Sequence, residues 1–319
     1  MNKKVKIYIA GHRGLAGSAI VRELQSQGYT NVVTRSHAEL DLEDAVTTRQ
    51  FFEQEHPEIV FLAAAKVGGI HANNTYPVDF LMSNLLIEAN ICRAAHATMV
   101  DRLIFLGSSC IYPRDCPQPI KEEYLLTGLL EATNRPYALA KIAGIEMCWS
   151  YNRQYGTKWL AAMPTNLYGQ GDNYDLNNSH VLPALIRKMH EAKISGVEEV
   201  VLWGSGKPRR EFLYVDDLAN ALVFLATLDV EQYNALVEPS QCPLINVGTG
   251  MELTIRELAE EVARVVGYSG KFVQDTSMPD GTMRKVMDVT KIHKLGWKAK
   301  TSLKEGINLT YRKFCVAQA

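Results

Sequence analysis

The chain of 319 residues has almost no net charge, with 34 Lys and Arg against 35 Asp and Glu and a formal balance of −1. No broad field therefore draws it to nucleic acid or to an anionic membrane, and any anion site must be assembled locally. It also lacks long apolar runs. None approaches the ~20 residues of a membrane-spanning helix. The run IYIA behind the N-terminal lysines is too short for the core of a signal peptide. No nucleic acid, no membrane and a cytoplasmic location are the expectations. The six cysteines, at 92, 110, 116, 148, 242 and 315, form no C-x-x-C pair and have no histidine at metal-ligand spacing. That argues against a structural metal. Five of them read as ordinary reduced thiols. There is no internal repeat and no low-complexity segment.

What is present is a regular alternation. Hydrophobic residues make up 47% and charged residues 22%, enough for a substantial core. Short β-branched runs at 5–10, 31–34, 58–65, 102–109 and 159–164 read as strands. Between them lie helical patterns: one from the glycine-rich turn to Gly28, one entered from Asp44, and long ones at 77–97 and 135–156. The strand runs are apolar on both faces. This predicts an α/β fold, a Rossmann-type doubly wound parallel sheet with helices on both sides. After Pro164 comes a stretch rich in Asn, Asp and Gly, 166–180, expected to be a functional loop. A helix from Pro183, strands at 200–203 and 244–248, and helices at 215–228 and 254–267 follow. Residues 1–165 are expected to form a dinucleotide domain, to which the chain returns around 215–248. Residues 166–319 are expected to form a smaller C-terminal α/β domain for substrate.

GHRGLAG places Gly11, Gly14 and Gly17 directly after the first strand and at the start of the first helix. A turn this tight lets backbone N–H groups approach a pyrophosphate at the helix N-terminus. The second strand runs into TRSH, with no acid to hold a ribose 2′-hydroxyl. Instead Arg13, Arg35 and His37 lie nearby. Cations there suit a 2′-phosphate, so NADP(H) is the expected cofactor.

In YALAK, Tyr137 and Lys141 are four residues apart on one helical face. With Ser108 at a preceding strand end they make a proton-transfer site. An ammonium near the phenol is expected to lower its pKa, and the serine hydroxyl to hold a substrate oxygen.

Taken together, GHRGLAG, FLAAAK, SSCIYP, YALAK, PTNLYG, REFLYVDD and INVGTG resemble the extended short-chain dehydrogenase/reductases that act on sugar nucleotides. Longer stretches are similar to members that epimerise and reduce a GDP-bound 4-keto sugar. These are AAAKVGGIHANNTYP (63–77), LGSSCIYP, MPTNLYGQGDNYD, NSHV (178–181) and PDGTMRK (279–285). Two departures stand out: Met163 where many relatives have Arg, and GQGD where they carry a proline.

The resemblance implies inversion at C3 and C5 of the hexose and NADPH-dependent reduction of its C4 ketone. It assigns Cys110 as the base and His180 as the acid on opposite faces of the ring. Both protons flank the ketone and are acidified by it. A thiol whose pKa is lowered by a nearby cation suits the first task, and an imidazole the second. Tyr137, Ser108 and Lys141 would serve the C4 oxygen. Cofactor contacts are implied for Gly11, His12, Arg13, Gly14, Leu15, Ala16 and Gly17. The same holds for Arg35, His37, Asp41 and Leu42, for Pro164, Thr165, Asn166 and Leu167, and for Lys141 and His180. Lys188, Trp203, Arg210 and Asp280 are the implied holders of the GDP moiety. A dehydratase of this family would carry Thr-Asp-Glu where Ser108, Ser109 and Cys110 stand. A simple 4-epimerase would need neither Cys110 nor His180, and a binding-only regulator would not need Ser108, Tyr137 and Lys141. Apolar residues around the helices at 77–97 and 135–156 suggest a homodimer through a four-helix bundle.

Overall fold

The computed structural model describes residues 2–176, 179–278 and 280–318. Asn178 and Pro279, part of two motifs quoted above, lie outside the described residues. The first half of the chain runs through β1 (Ile7–Ala10), α1 (Leu15–Ser26), β2 (Val32–Thr34), α2 (Ala45–Glu55) and β3 (Ile59–Leu62). It continues with α3 (Ile70–Thr75), α4 (Pro77–Ala97), β4 (Arg102–Leu106), α5 (Arg135–Tyr155) and β5 (Lys158–Pro164). The second half begins with β6 (Asn166–Tyr168), α6 (Val181–Ser195), β7 (Glu199–Trp203), β8 (Arg209–Tyr214), α7 (Val215–Thr227) and α8 (Val230–Leu236). Then come β9 (Leu244–Val247), β10 (Glu252–Thr254), α9 (Ile255–Val266), β11 (Lys271–Asp275), β12 (Arg284–Lys285), α10 (Thr290–Lys294) and α11 (Leu303–Gln318).

Six parallel strands form the main sheet in the order β2-β1-β3-β4-β5-β9. All four residues of β1 and of β3 are buried, as the apolar runs require of strands covered on both faces. Strand order reverses direction between β1 and β3. Right-handed crossovers then put α1 on one face and α2, α4 and α5 on the other. The contacts agree: α1 packs along α7, and α4 along α2 and α5. That reversal leaves a crevice beyond the carboxyl ends of β1, β3, β4 and β5, where ligands of such sheets bind.

Local chemistry fixes the helix ends. Asp44 caps α2 by accepting from the Thr47 N–H at 2.7 Å. Pro136 sits in the first turn of α5, and Gly156 ends that helix in the left-handed region at φ 69°. Thr254 and Glu257 form a capping box on α9. A second hydrophobic cluster, separate from that around the main sheet, gathers Leu185, Ile186, Met189, Leu202, Leu258, Val262 and Phe314. Small sheets of β6, β8, β10 and β12, and of β7 and β11, lie in this half.

Three expectations need correction, and two elements went unread. The strand expected over 102–109 stops at Leu106, and Ser109–Ile111 is a short 3₁₀ turn. The expected loop 166–180 opens with β6, paired with β8. The helix expected from Pro183 starts at Val181, which makes His180 its N-cap residue. And β8 and α11 were not read from the sequence: β8 opens with Arg209 and Arg210 and buries Glu211, and α11 carries Gly306 and a buried Thr310. Polar residues in buried positions erase the hydrophobic period that marks an element.

Candidate active site

The crevice holds a cavity of about 830 Å³. The turn 11–17 forms one wall, and its shape depends on missing side chains. Gly11 has φ +86°, and a Cβ there would come within 2.7 Å of the Ala64 backbone. A Cβ on Gly17 would lie 2.7 Å from the Gly11 carbonyl carbon and 2.9 Å from the His12 Cα. The turn therefore closes on itself and on the end of β3, and presents backbone rather than side chains. That cradle fits a dinucleotide pyrophosphate at the start of α1.

Every residue expected to contact the cofactor lines this one cavity: Gly11 through Gly17, Arg35, His37, Asp41, Leu42, Lys141, Pro164 through Leu167, and His180. Ser108 and Tyr137 line it too. Arg35 is anchored rather than free. It ion-pairs with Glu55 at 2.6 Å, donates to the Thr34 carbonyl at 2.8 Å and lies 5.3 Å from the centre of the Phe51 ring. His37 is exposed, 3.8 Å from Asp41. Ala63 through Val67, after β3, complete the wall and were not assigned a role from the sequence.

Cys110 does not line the cavity; its side chain is buried beside it, in the turn that follows Ser108. Its backbone N–H points to the Ser108 hydroxyl at 3.5 Å. The expectation of a lowered thiol pKa is reversed. Burial pushes it up, and the opposing pulls of Lys285, Ser108 and Lys141 are smaller. Tyr137 is reversed in the same way. Burial, with the negative charges of Cys110 and Glu88, raises the phenol well above its ordinary range, and a hydrogen bond with Ser108 works against this.

The ammonium expected to lower that pKa is committed elsewhere. Lys141 Nζ lies 3.2 Å from Glu88 Oε1 and donates to the Leu106 carbonyl at 3.1 Å. It is 6.0 Å from the centre of the Tyr137 ring. Glu88, on α4, offsets much of the charge that Tyr137 would otherwise feel. It is another residue the sequence reading missed. Its signal was there: a lone acid among the buried residues Asn84, Ile87 and Ile91 of α4.

His180 has an open edge to solvent yet stands in a walled depression. Desolvation lowers its pKa below the ordinary imidazole range, which favours the neutral ring. Its place at the N-terminus of α6 also disfavours the cation.

The four residues expected to hold GDP do not line this cavity. They form two pairs. The Lys188 ammonium lies 4.9 Å from the centre of the exposed Trp203 ring. Arg210 on β8 feels the charge of Asp280, whose oxygens accept from the Ser205 N–H at 2.6 Å and hydroxyl at 2.7 Å. Lys285, on β12 beside Arg210, is a further cation that the sequence reading left unassigned. Burial lowers its pKa, and the Cys110 charge opposes that.

Comparison with known proteins gives the same answer as the sheet and the glycine cradle. The family model described as NAD dependent epimerase/dehydratase matches residues 7–235. The chain belongs to this family. It is 57% identical over 311 residues to the "Putative GDP-L-fucose synthase 2" of Arabidopsis thaliana, covering 98% of this chain and 92% of that one. It is 53% identical over 311 residues to the GDP-L-fucose synthase of Escherichia coli (strain K12), covering 98% and 97%. Among solved structures, the GDP-mannoheptose C4 reductase MlghC of Campylobacter jejuni, with NADP bound, superposes at a TM-score of 0.90. It is 41% identical and covers 99% of each chain. Among the described residues, no group of three or more His, Cys, Asp or Glu could hold a metal, and no helix is long and apolar enough to cross a membrane.

Proposed function

We propose that this chain converts GDP-4-keto-6-deoxy-D-mannose to GDP-L-fucose by inverting C3 and C5 and reducing the C4 ketone, with NADP(H) as its cofactor. The observation that carries the reading is that Ser108, Tyr137, Lys141 and His180 line one cavity, with the Cys110 thiol buried next to Ser108. The glycine cradle and Arg35 are suited to hold the dinucleotide. NADPH, when bound, supplies the hydride that C4 receives.

The chain's own groups handle protons and charge. As a thiolate, Cys110 takes the proton next to the ketone, and as an imidazolium, His180 returns one from the other face; burial works against both charged forms. Ser108 and Tyr137 donate hydrogen bonds to the oxygen that becomes negative, and the phenol gives up its proton as C4 is reduced. The raised Tyr137 pKa suits this donor role, because a neutral phenol holds the proton that the developing alkoxide needs. Arg210, Lys188 and Lys285 would meet the diphosphate, with Trp203 as a stacking face and Asp280 for ribose hydroxyls.

A reductase without epimerase activity is the second reading, favoured by the burial of Cys110 outside the cavity wall. Incubation with the keto sugar and NADPH in deuterated water separates the two. Deuterium at C3 and C5 with stoichiometric NADPH loss supports the first reading. NADPH loss without deuterium leaves only the second, and no NADPH loss refutes both.

We also read residues 1–165 with the return at 215–248 as the cofactor domain, and the remainder of 166–319 as the substrate domain. A cytoplasmic homodimer is part of the same proposal. Val78, Met82 and Leu86 on α4 and Leu139 on α5 are exposed and apolar, which suits pairing of these helices with a second copy. A monomeric mass in sedimentation would count against the dimer.

A further inference from the structure

The proposed chemistry gives Glu88 no task, yet the residue is costly. Its side chain is fully buried on α4, and neither carboxylate oxygen accepts a well-formed hydrogen bond among the described residues. What stands against the cost of burying it is the ammonium of Lys141 at 3.2 Å, each side chain being 1% exposed. The fold also makes room for it. A Cβ on Gly144 of α5 would lie 2.8 Å from Glu88 Oε2 and closer still to the Phe105 ring. An apolar side chain at 88 would strand the Lys141 ammonium in the interior without a counter-charge, so the reason for an acid here lies with the lysine it faces.

We propose that Glu88 is the positioning residue for Lys141: together with the Leu106 carbonyl it directs the ammonium and keeps the amine charged, leaving an N–H to face the cavity. The inference rests on the reading of Lys141 as part of the reducing site. An ammonium buried without a counter-charge loses its proton easily. The Leu106 carbonyl, at 3.1 Å, supplies a dipole but no charge. On α5 the titratable groups facing Glu88 are Lys141, Tyr137 and Cys148, and Cys92 of α4 adjoins Cys148. β4 contributes the ring of Phe105. Burial raises Glu88 to about 7, with Lys141 opposing. In acid, then, the wild-type carboxyl is itself neutral, and a glutamine mimics it. In alkali the carboxylate is charged and holds the proton on Lys141, which a glutamine cannot do.

The experiment is single-turnover NADPH oxidation with the GDP-4-keto sugar from about pH 6 to about pH 8.5, in wild type, Glu88→Gln and Glu88→Asp. The expected result is a Glu88→Gln rate close to wild type at the acid end and roughly tenfold lower at the alkaline end, as a lysine pKa brought down by about three units in the variant demands. Glu88→Asp, which keeps the charge at a shorter reach, shows a smaller deficit with the same slope. A deficit equal at every pH marks a merely structural role and overturns the proposal, as does no deficit at all. If Glu88→Gln gives no folded protein, Glu88→Asp decides: an alkaline limb displaced to lower pH supports the proposal and an unmoved limb overturns it. Wild-type protein that fails to oxidise NADPH with this sugar removes the functional reading and this inference together. An active wild type with parallel variant profiles removes this inference alone.

Discussion

Gly17→Ala is the sharpest test of the glycine cradle. The added Cβ would sit 2.7 Å from the Gly11 carbonyl carbon and 2.9 Å from the His12 Cα, with the Gly11 oxygen closer still. Carbon atoms rest at about 3.5–4.0 Å, so the Gly11–His12 peptide must retreat by roughly 0.8 Å or more. It cannot retreat freely, because Gly11 already packs against the Ala64 backbone. Overpacking of this kind costs about 1–3 kcal/mol, which corresponds to roughly 5- to 150-fold in a binding constant if the turn bears the strain. NADPH affinity, read by titration of its fluorescence, is therefore expected to fall by at least roughly fivefold, and the melting temperature by a few degrees. Gly28→Ala is the control. Gly28 has φ +80° and nothing within 4 Å of a new Cβ, so the change costs about 1 kcal/mol of backbone strain and leaves NADPH affinity alone. A folded Gly17→Ala protein with wild-type affinity would refute the cradle.

Cys110→Ala is expected to lower deuterium incorporation at C3 and C5 by roughly 10²–10⁴, the usual worth of a positioned base; Tyr137→Phe should strike NADPH oxidation hardest. Unchanged incorporation in the cysteine variant would remove Cys110 from the chemistry. Arg35→Ala should reduce the preference for NADPH over NADH by at least roughly tenfold, the worth of a charged hydrogen bond to a 2′-phosphate, and an unaltered ratio would show that Arg35 serves only Glu55. Arg210→Ala should raise the KM for the GDP sugar by a similar factor with little change in kcat, whereas an unmoved KM would take Arg210 out of the site.

The first half of the fold was legible because its signals are local. Pro77, Gly28, Gly156 and Asp44 mark helix ends by backbone chemistry, and the structure puts α2, α4 and α5 within a residue of where those markers point. The second half was legible only in parts. β8 carries Arg209, Arg210 and Glu211 in sequence, and Glu211 is buried because it accepts from the backbone N–H groups of Thr249, Gly250 and Met287. A carboxylate satisfied by distant backbone looks like a surface charge until those distant segments are known.

The same limit governs the site. Spacing pointed to Ser108, Tyr137 and Lys141 and the family resemblance to His180, and all four line one cavity. Their charge was read with the wrong sign for both Tyr137 and Cys110, since spacing registers a neighbouring cation but not the loss of water around the acid. For each of these groups desolvation is the largest influence, and it outweighs the cations nearby. Lys141 illustrates why: the cation nearest the tyrosine along α5 is held by a carboxylate from α4, 53 positions earlier in the chain. Nothing local to YALAK announces that partner. A buried charge in a helix that otherwise turns apolar residues inward is the sign to look for, because it persists only where a second charge meets it.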